Sequence, residues 1–158
     1  MNEVPQEPAE RVHAVVARVI EALGLDASVD VTESAEEIRA TVDGPDEMGR
    51  LIGRHGQTID ALQHLAWRAA FHDRDERKAV VVDAAGYRQR REEALHRQAD
   101  RAASEAMRYG RPVELEPMSA AERKTVHNYL ADRNDVETHS EGDEPERRLV
   151  VSPLRARS

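Results

Sequence analysis

The sequence predicts an α+β chain of two small modules, and three observations carry that prediction. Its 158 residues allow one ordinary domain or two small ones. The apolar pattern switches repeatedly between helical spacing and strand alternation, in the order helix, strand, strand, helix, helix, strand and then a second mixed set. No Gly-, Ser- or Pro-rich tether interrupts the chain, and no internal repeat divides it, so the modules are expected to follow one another without a flexible linker.

The elements can be justified in order. Val12, Val15, Val16, Val19, Ile20 and Leu23 share one helical face, and Gly24 follows where a left-handed C-terminal cap belongs. Val29 and Val31 alternate with polar neighbours, and Ile38, Ala40 and Val42 repeat the pattern after Ser34-Ala35-Glu36, which predicts two half-buried antiparallel strands. Gly44-Pro45 breaks the run. Met48 to Ile52 then leads into Gly53-Arg54-His55-Gly56. Ile59, Leu62, Leu65, Ala66 and Ala69 return to helical spacing, and Ala79-Val80-Val81-Val82 reads as a strand.

Asp83 to Gly86 separates this set from Tyr87 to Gly110, a long Arg- and Ala-rich helix with Ala94, Leu95, Ala99, Ala102, Ala103, Ala106 and Met107 on one face. Val113 and Leu115 alternate between Pro112 and Pro117. Ser119 with Glu122 has capping-box spacing, and a helix is expected to run from there through Leu130. Val136, Thr138 and Ser140, then Arg148 to Val151, predict two strands around the turn at Gly142 to Pro145.

Composition excludes several classes of function. With no cysteine, the chain has no disulfide framework, thiol nucleophile or Cys-ligated zinc, and a reducing cytoplasm fits best. No apolar run is long enough to cross a bilayer, and the acidic, proline-bearing first ten residues do not read as a signal sequence, so membrane insertion is not expected. Aromatic residues are only 3%, which argues against modules that stack bases on exposed rings. The net charge of −8 is uneven: residues 1–48 hold 3 basic and 12 acidic residues, whereas residues 49–134 hold 16 basic and 13 acidic. Screening confines each patch to its own neighbourhood, so the basic centre can bind a polyanion despite the overall sign. Of the 23 basic residues only Lys78 and Lys124 are lysine. Arginine is the better fork for phosphate oxygens, although GC-rich codon usage gives the same ratio.

The first chemical motif is Leu51-Ile52-Gly53-Arg54-His55-Gly56-Gln57-Thr58-Ile59, a Gly-x-x-Gly loop between two short helices. Glycines let backbone approach a sugar-phosphate chain, the following helix offers free amides to anions, and Arg54 and His55 add donors. Ile52 and Ile59 would floor a groove for bases held without aromatic stacking. Four letters alone describe a helix-turn-helix corner equally well; the flanking apolar pattern and the element order distinguish this loop. Residues 9–84 thereby resemble a KH domain of the prokaryotic type, and the resemblance implies a module that clamps a few single-stranded nucleotides at Ile52, Gly53, Arg54, His55, Gly56 and Ile59.

The second motif is Arg123-Lys124-Thr125-Val126-His127, whose spacing of four puts Arg123 and His127 on one helical face. By itself Arg-x-x-x-His describes any solvated helix. Its neighbours Gly86-Tyr87-Arg88, Arg91-Glu92-Glu93-Ala94, Glu116-Pro117-Met118-Ser119 and Val136-Glu137-Thr138 give it context, because residues 85–152 are similar to the C-terminal half of the Jag (KhpB-like) family. That bacterial family joins a KH domain to an R-3-H module for single-stranded nucleic acid, and many members carry a further N-terminal domain.

The resemblance implies an α+β architecture of a prokaryotic-type KH domain at 9–84 and a small α+β R-3-H domain at 85–152, with flexible ends at 1–8 and 153–158. It implies a cytoplasmic protein that binds single-stranded RNA, or single-stranded DNA, through the loop and through Arg123 and His127, without catalysis or cofactor. Post-transcriptional regulation linked to cell elongation, division and envelope control follows from it, as does a small single-KH protein as partner. An interaction adaptor that pairs with another KH protein is the alternative. Asp135, Glu137 and His139 are not expected to bind a metal, because strand alternation sends neighbours to opposite faces. Trp67 and Phe71, one helical turn apart, are expected either to pack on the first helix or to meet a partner.

Overall fold

The computed structural model describes residues 3–154. The chain forms two compact units, Met1–Arg88 and Gln89–Ser158, each with a three-stranded sheet and its own hydrophobic core.

In the first unit, α1 (Pro8–Ala22) starts on a proline, whose missing N–H costs nothing in a first turn. It buries Val12, Val16 and Ile20, one every four residues. The amides of Gly24 and Leu25 close its end by bonding to Glu21 O and Ile20 O. Antiparallel β1 (Ser28–Glu33) and β2 (Glu37–Asp43) join across Ser34, whose Oγ accepts from the Glu36 and Glu37 amides at 3.3 and 3.1 Å. A crossover through α2 (Gly49–Ile52), a 3₁₀ turn at Arg54–Gly56 and α3 (Gln57–Phe71) delivers β3 (Ala79–Ala84) parallel to β2. Ile38, Ala40 and Val42 of β2, and Val80 and Val82 of β3, bury the same sheet face, covered by α1 and by Ile59, Leu62, Ala66, Ala70 and Phe71 of α3.

One polar clamp reinforces that packing. The Arg11 guanidinium, almost wholly buried on α1, grips Asp73 with two bonds of 2.6 and 3.0 Å, just past the end of α3. Its hydrogen bonds hold the Asp73 carboxyl down to a pKa of about 2.

In the second unit, α4 (Tyr87–Tyr109), whose first two residues fall in the first unit, buries Leu95, Ala99, Ala102, Ala103 and Ala106. Met107, expected on that face, is 45% exposed. At about 100° per residue it lies roughly 100° from Ala106, off the buried ridge. After β4 (Val113–Glu114) comes α5 (Ala120–Leu130), capped by the Ser119 side chain, which accepts from the Glu122 amide at 3.2 Å. The Glu122 carboxylate holds Arg91 instead of completing a reciprocal box, at 2.7 and 3.2 Å. β5 (Val136–Glu141) and β6 (Arg148–Pro153) form an antiparallel pair, and β4 joins the other edge of β6, giving the order β4-β6-β5.

The segments expected to be flexible, 1–8 and 153–158, make several contacts within the described residues. The Pro5 and Gln6 carbonyls accept from Arg11 Nε at 2.9 Å and Arg74 Nη2 at 2.8 Å, Pro8 opens α1, and Pro153 closes β6. Arg11 on α1 and Arg74 beyond the end of α3 hold the N-terminal carbonyls, and the Leu154 amide bonds to Asp135 O. Residues 1–2 and 155–158 lie outside the described residues.

Candidate nucleic-acid interface

The Gly53–Gly56 loop departs from ordinary backbone geometry at three of its four residues. Gly53 (φ 75°, ψ 177°) and Gly56 (φ 75°, ψ 12°) have positive φ, and between them His55 is left-handed at φ 54°. The glycines are required from inside the protein. A Cβ on Gly53 would come within 2.7 Å of Thr58 Cβ and 2.9 Å of its amide nitrogen. On Gly56 it would come within 2.7 Å of Tyr87 Oη and 3.1 Å of its ring. The absent side chains therefore admit Thr58 and Tyr87, which fixes the loop whether or not a ligand is near.

This packing presents Arg54 and His55 to solvent while Gly56 is buried beneath them. No side chain caps the N-terminus of α3; the Gln57 amide bonds to Arg54 O, and the amides of the rest of the first turn follow beside the two basic residues. The corner is held from below by Arg88, whose Nη1 bonds to Asp60 on the first turn of α3 at 2.9 Å and whose Nε bonds to Val82 O at 2.8 Å. Sequence context places Gly86-Tyr87-Arg88 with the second motif, whereas Tyr87 and Arg88 pack against the Gly53–Gly56 loop and the start of α3.

The two isoleucines have different surroundings. Ile52 is half-buried at the end of α2. Ile59 is completely buried in the core, so the expectation that it floors a base groove needs correction: its position faces the sheet and anchors α3.

In the second unit, a recess of about 400 Å³ opens between α5 and the β5–β6 hairpin, bordered by Arg123, Lys124, His127, Thr138, His139 and Arg147. His127 is exposed, and its Nδ1 is hydrogen-bonded to Thr138 Oγ1, which orients the ring and leaves Nε2 for a ligand. Arg123 differs from the expected phosphate fork. It is only 8% exposed, donating to Met118 O at 2.7 Å and to Glu144 Oε1 at 2.9 Å, so its charge is spent on fixing the β5–β6 turn against α5. Lys124, which the Arg-x-x-x-His pattern passes over, is exposed on the same recess and forms no ion pair with a described residue.

On the same helix as His127, Tyr129 donates to Asp100 at 3.0 and 3.1 Å and stacks on His96 with ring centroids 4.0 Å apart. The neighbouring carboxylate raises the pKa of the Tyr129 hydroxyl above its ordinary value. Asp135 is held by Arg133 at 2.9 and 2.7 Å, and His139 contacts Glu141 at 2.8 Å. Among the described residues no group of three or more acidic or imidazole side chains is placed to hold a metal ion.

Two family models match the chain in the order of these units: the KH domain of KhpA/KhpB over residues 10–83 and the R-3-H domain over residues 93–153. The chain is 32% identical over 151 residues to the RNA-binding protein KhpB of Bacillus subtilis, covering 94% of this chain and 72% of that one. The chain belongs to the KhpB family. Its counterparts in Lactiplantibacillus plantarum and Clostridium symbiosum, also called RNA-binding protein KhpB, are 40% and 37% identical over 134 and 130 residues. Those matches cover 85% and 82% of this chain but 41% and 58% of the relatives, so the chain spans about half the length of these two KhpB proteins.

Proposed function

We propose that this chain binds single-stranded RNA, through the Gly53–Gly56 loop of its first unit and the Lys124–His127 face of its second, and acts in post-transcriptional regulation without catalysing a reaction. The observation that carries the reading is the exposed Arg54–His55 pair, set on a loop with positive φ at Gly53, His55 and Gly56 at the start of α3, which no side chain caps. Backbone amides and two cations there suit phosphate oxygens, and half-buried Ile52 suits a base face. The names of the KhpB relatives support the same ligand. Within this reading His127 contacts the strand and Arg123 positions the turn beside it. Single-stranded DNA would compete through the same phosphate contacts, and a role in cell elongation, division and envelope control follows family resemblance. A cytoplasmic location accords with the absence, among the described residues, of any helix long and apolar enough to cross a membrane.

The test is Arg54→Asp/His55→Asp in the full chain, with binding followed by fluorescence anisotropy of labelled single-stranded RNA. Most of the affinity should disappear while the melting curve is unchanged, because both residues are exposed and the new charges repel phosphate. Full affinity in the folded double mutant would remove the loop from the interface and favour the adaptor.

One observation favours that second reading, pairing with a small single-KH protein. Leu65 on α3 is 57% exposed, an apolar side chain that a partner helix would cover. Phe71 is not available for it, being buried in the core, and Trp67 packs partly on that core with Arg77 over its ring at 5.2 Å. The β3 edge is also occupied at Val82, whose N–H bonds to Gln63 Oε1 at 3.0 Å and whose carbonyl takes Arg88 Nε.

A further inference from the structure

In the second unit, Arg91, Arg123, Arg133 and Arg148 each hold a carboxylate. Arg97, Arg101, Arg108 and Arg111 are exposed and form no ion pair or hydrogen bond with a described residue. The unpaired arginines are not scattered. At about 100° per residue, Arg97, Arg101 and Arg108 lie within roughly 40° of one another around α4, opposite the buried ridge of Leu95, Ala99, Ala102 and Ala106. At about 1.5 Å per residue they extend over roughly 16 Å of helix.

Acids flank this ridge without neutralising it. Glu93 precedes Arg97 by four residues and Glu105 follows Arg101 by four, spacings at which ion pairs form readily, yet neither pair is made. Glu93 accepts from Gln89 at 3.3 Å, and Asp100 is occupied by Tyr129. At the C-terminal end of the ridge, Tyr109 is 57% exposed, with the guanidinium carbons of Arg108 and Arg111 at 5.4 and 5.5 Å from its ring centroid. A protein of net charge −8 thus carries, on the outer face of one helix, a row of free cations that ends on an exposed aromatic ring.

We propose that the outward ridge of α4, from Arg97 through Arg101 to Arg108, is a phosphate-contacting track for single-stranded RNA, ending on Tyr109 as a platform for an unstacked base. The inference rests on the RNA-binding reading above and adds to it a surface outside both motifs. Charge complementarity selects the occupant: a row of like cations along a helix matches the regular phosphates of a strand, and a ring flanked by guanidinium groups serves base and phosphate together. Such contacts position a strand without reading its sequence.

The experiment uses the full chain carrying Arg97→Gln/Arg101→Gln/Arg108→Gln, substitutions on a solvent-facing ridge to a good helix former. Anisotropy titrations with labelled oligouridylate and oligoadenylate over a salt series compare it with wild type, Tyr109→Ala and the Arg54→Asp/His55→Asp loop variant. Losing three phosphate contacts at about 0.7 each should make the log–log salt slope shallower by about 2 and weaken both oligonucleotides by a similar factor, on the order of tenfold. Tyr109→Ala should weaken binding with the slope unchanged. Wild-type slope and affinity in the triple variant, with binding lost in the loop variant, would overturn the ridge and leave the loop reading standing. Failure of the wild type to bind either oligonucleotide would overturn both. Wild-type affinity in Tyr109→Ala would remove the base platform.

Discussion

Replacing Gly56 with alanine tests whether the loop is fixed from within. The substitution puts a Cβ on a residue at φ 75°, a left-handed conformation that costs an L-residue about 1–2 kcal/mol. The same Cβ lies 2.7 Å from Tyr87 Oη and 3.1–3.2 Å from two ring carbons, and such overpacking costs about 1–3 kcal/mol. Together they predict a loss of about 2–5 kcal/mol in the first unit. Trp67 is the only tryptophan and lies in that unit, so its fluorescence during urea unfolding reads this stability specifically. Tyr87→Phe removes the nearest clashing atom, so Gly56→Ala/Tyr87→Phe should recover about 1 kcal/mol of the steric cost, leaving the backbone term in place. A double-mutant cycle isolates that coupling from any other interaction of the Tyr87 hydroxyl. Gly56→Ala within about 0.5 kcal/mol of wild type, or a cycle with no coupling, would refute the claim that Tyr87 fixes the loop.

Two further perturbations separate support from contact. Arg123→Ala should destabilise the second unit by about 1–3 kcal/mol, since it strips partners from the Met118 carbonyl and Glu144, whereas Lys124→Ala should leave denaturation unchanged and weaken RNA binding; the reverse pattern would return the phosphate role to Arg123. Asp73→Asn should lower the melting temperature at neutral pH. The Asp73 carboxyl titrates at about 2 folded and about 3.9 unfolded, so the Arg11 clamp contributes fully above about pH 4 and is lost as pH falls toward 2. The gap between Asp73→Asn and wild type should therefore close across that window, and a constant gap in acid melting curves would contradict the assignment.

The difference between what the sequence conveys and what it withholds is physical. Strand alternation at Ile38, Ala40 and Val42, helical spacing at Val12, Val16 and Ile20, and the Ser119 cap depend on neighbours within a few residues, and the elements form where those signals lie. The Gly-x-x-Gly and Arg-x-x-x-His patterns likewise mark positions under constraint. A motif nevertheless names a residue type without saying which side of the residue is constrained. Gly56 could be small to let a ligand approach or to admit Tyr87 from beneath, and only a contact between residues 31 apart in sequence distinguishes the two. Arg123 could face phosphate or Glu144, and its carboxylate partner sits in a turn that no local pattern links to α5. The same blindness works in reverse for Arg97, Arg101 and Arg108, which read as a solvated helix face until the carboxylates within pairing distance in sequence are seen to be left unpaired or bound elsewhere. In an acidic chain the informative arginines are those without a partner, and that property belongs to the fold.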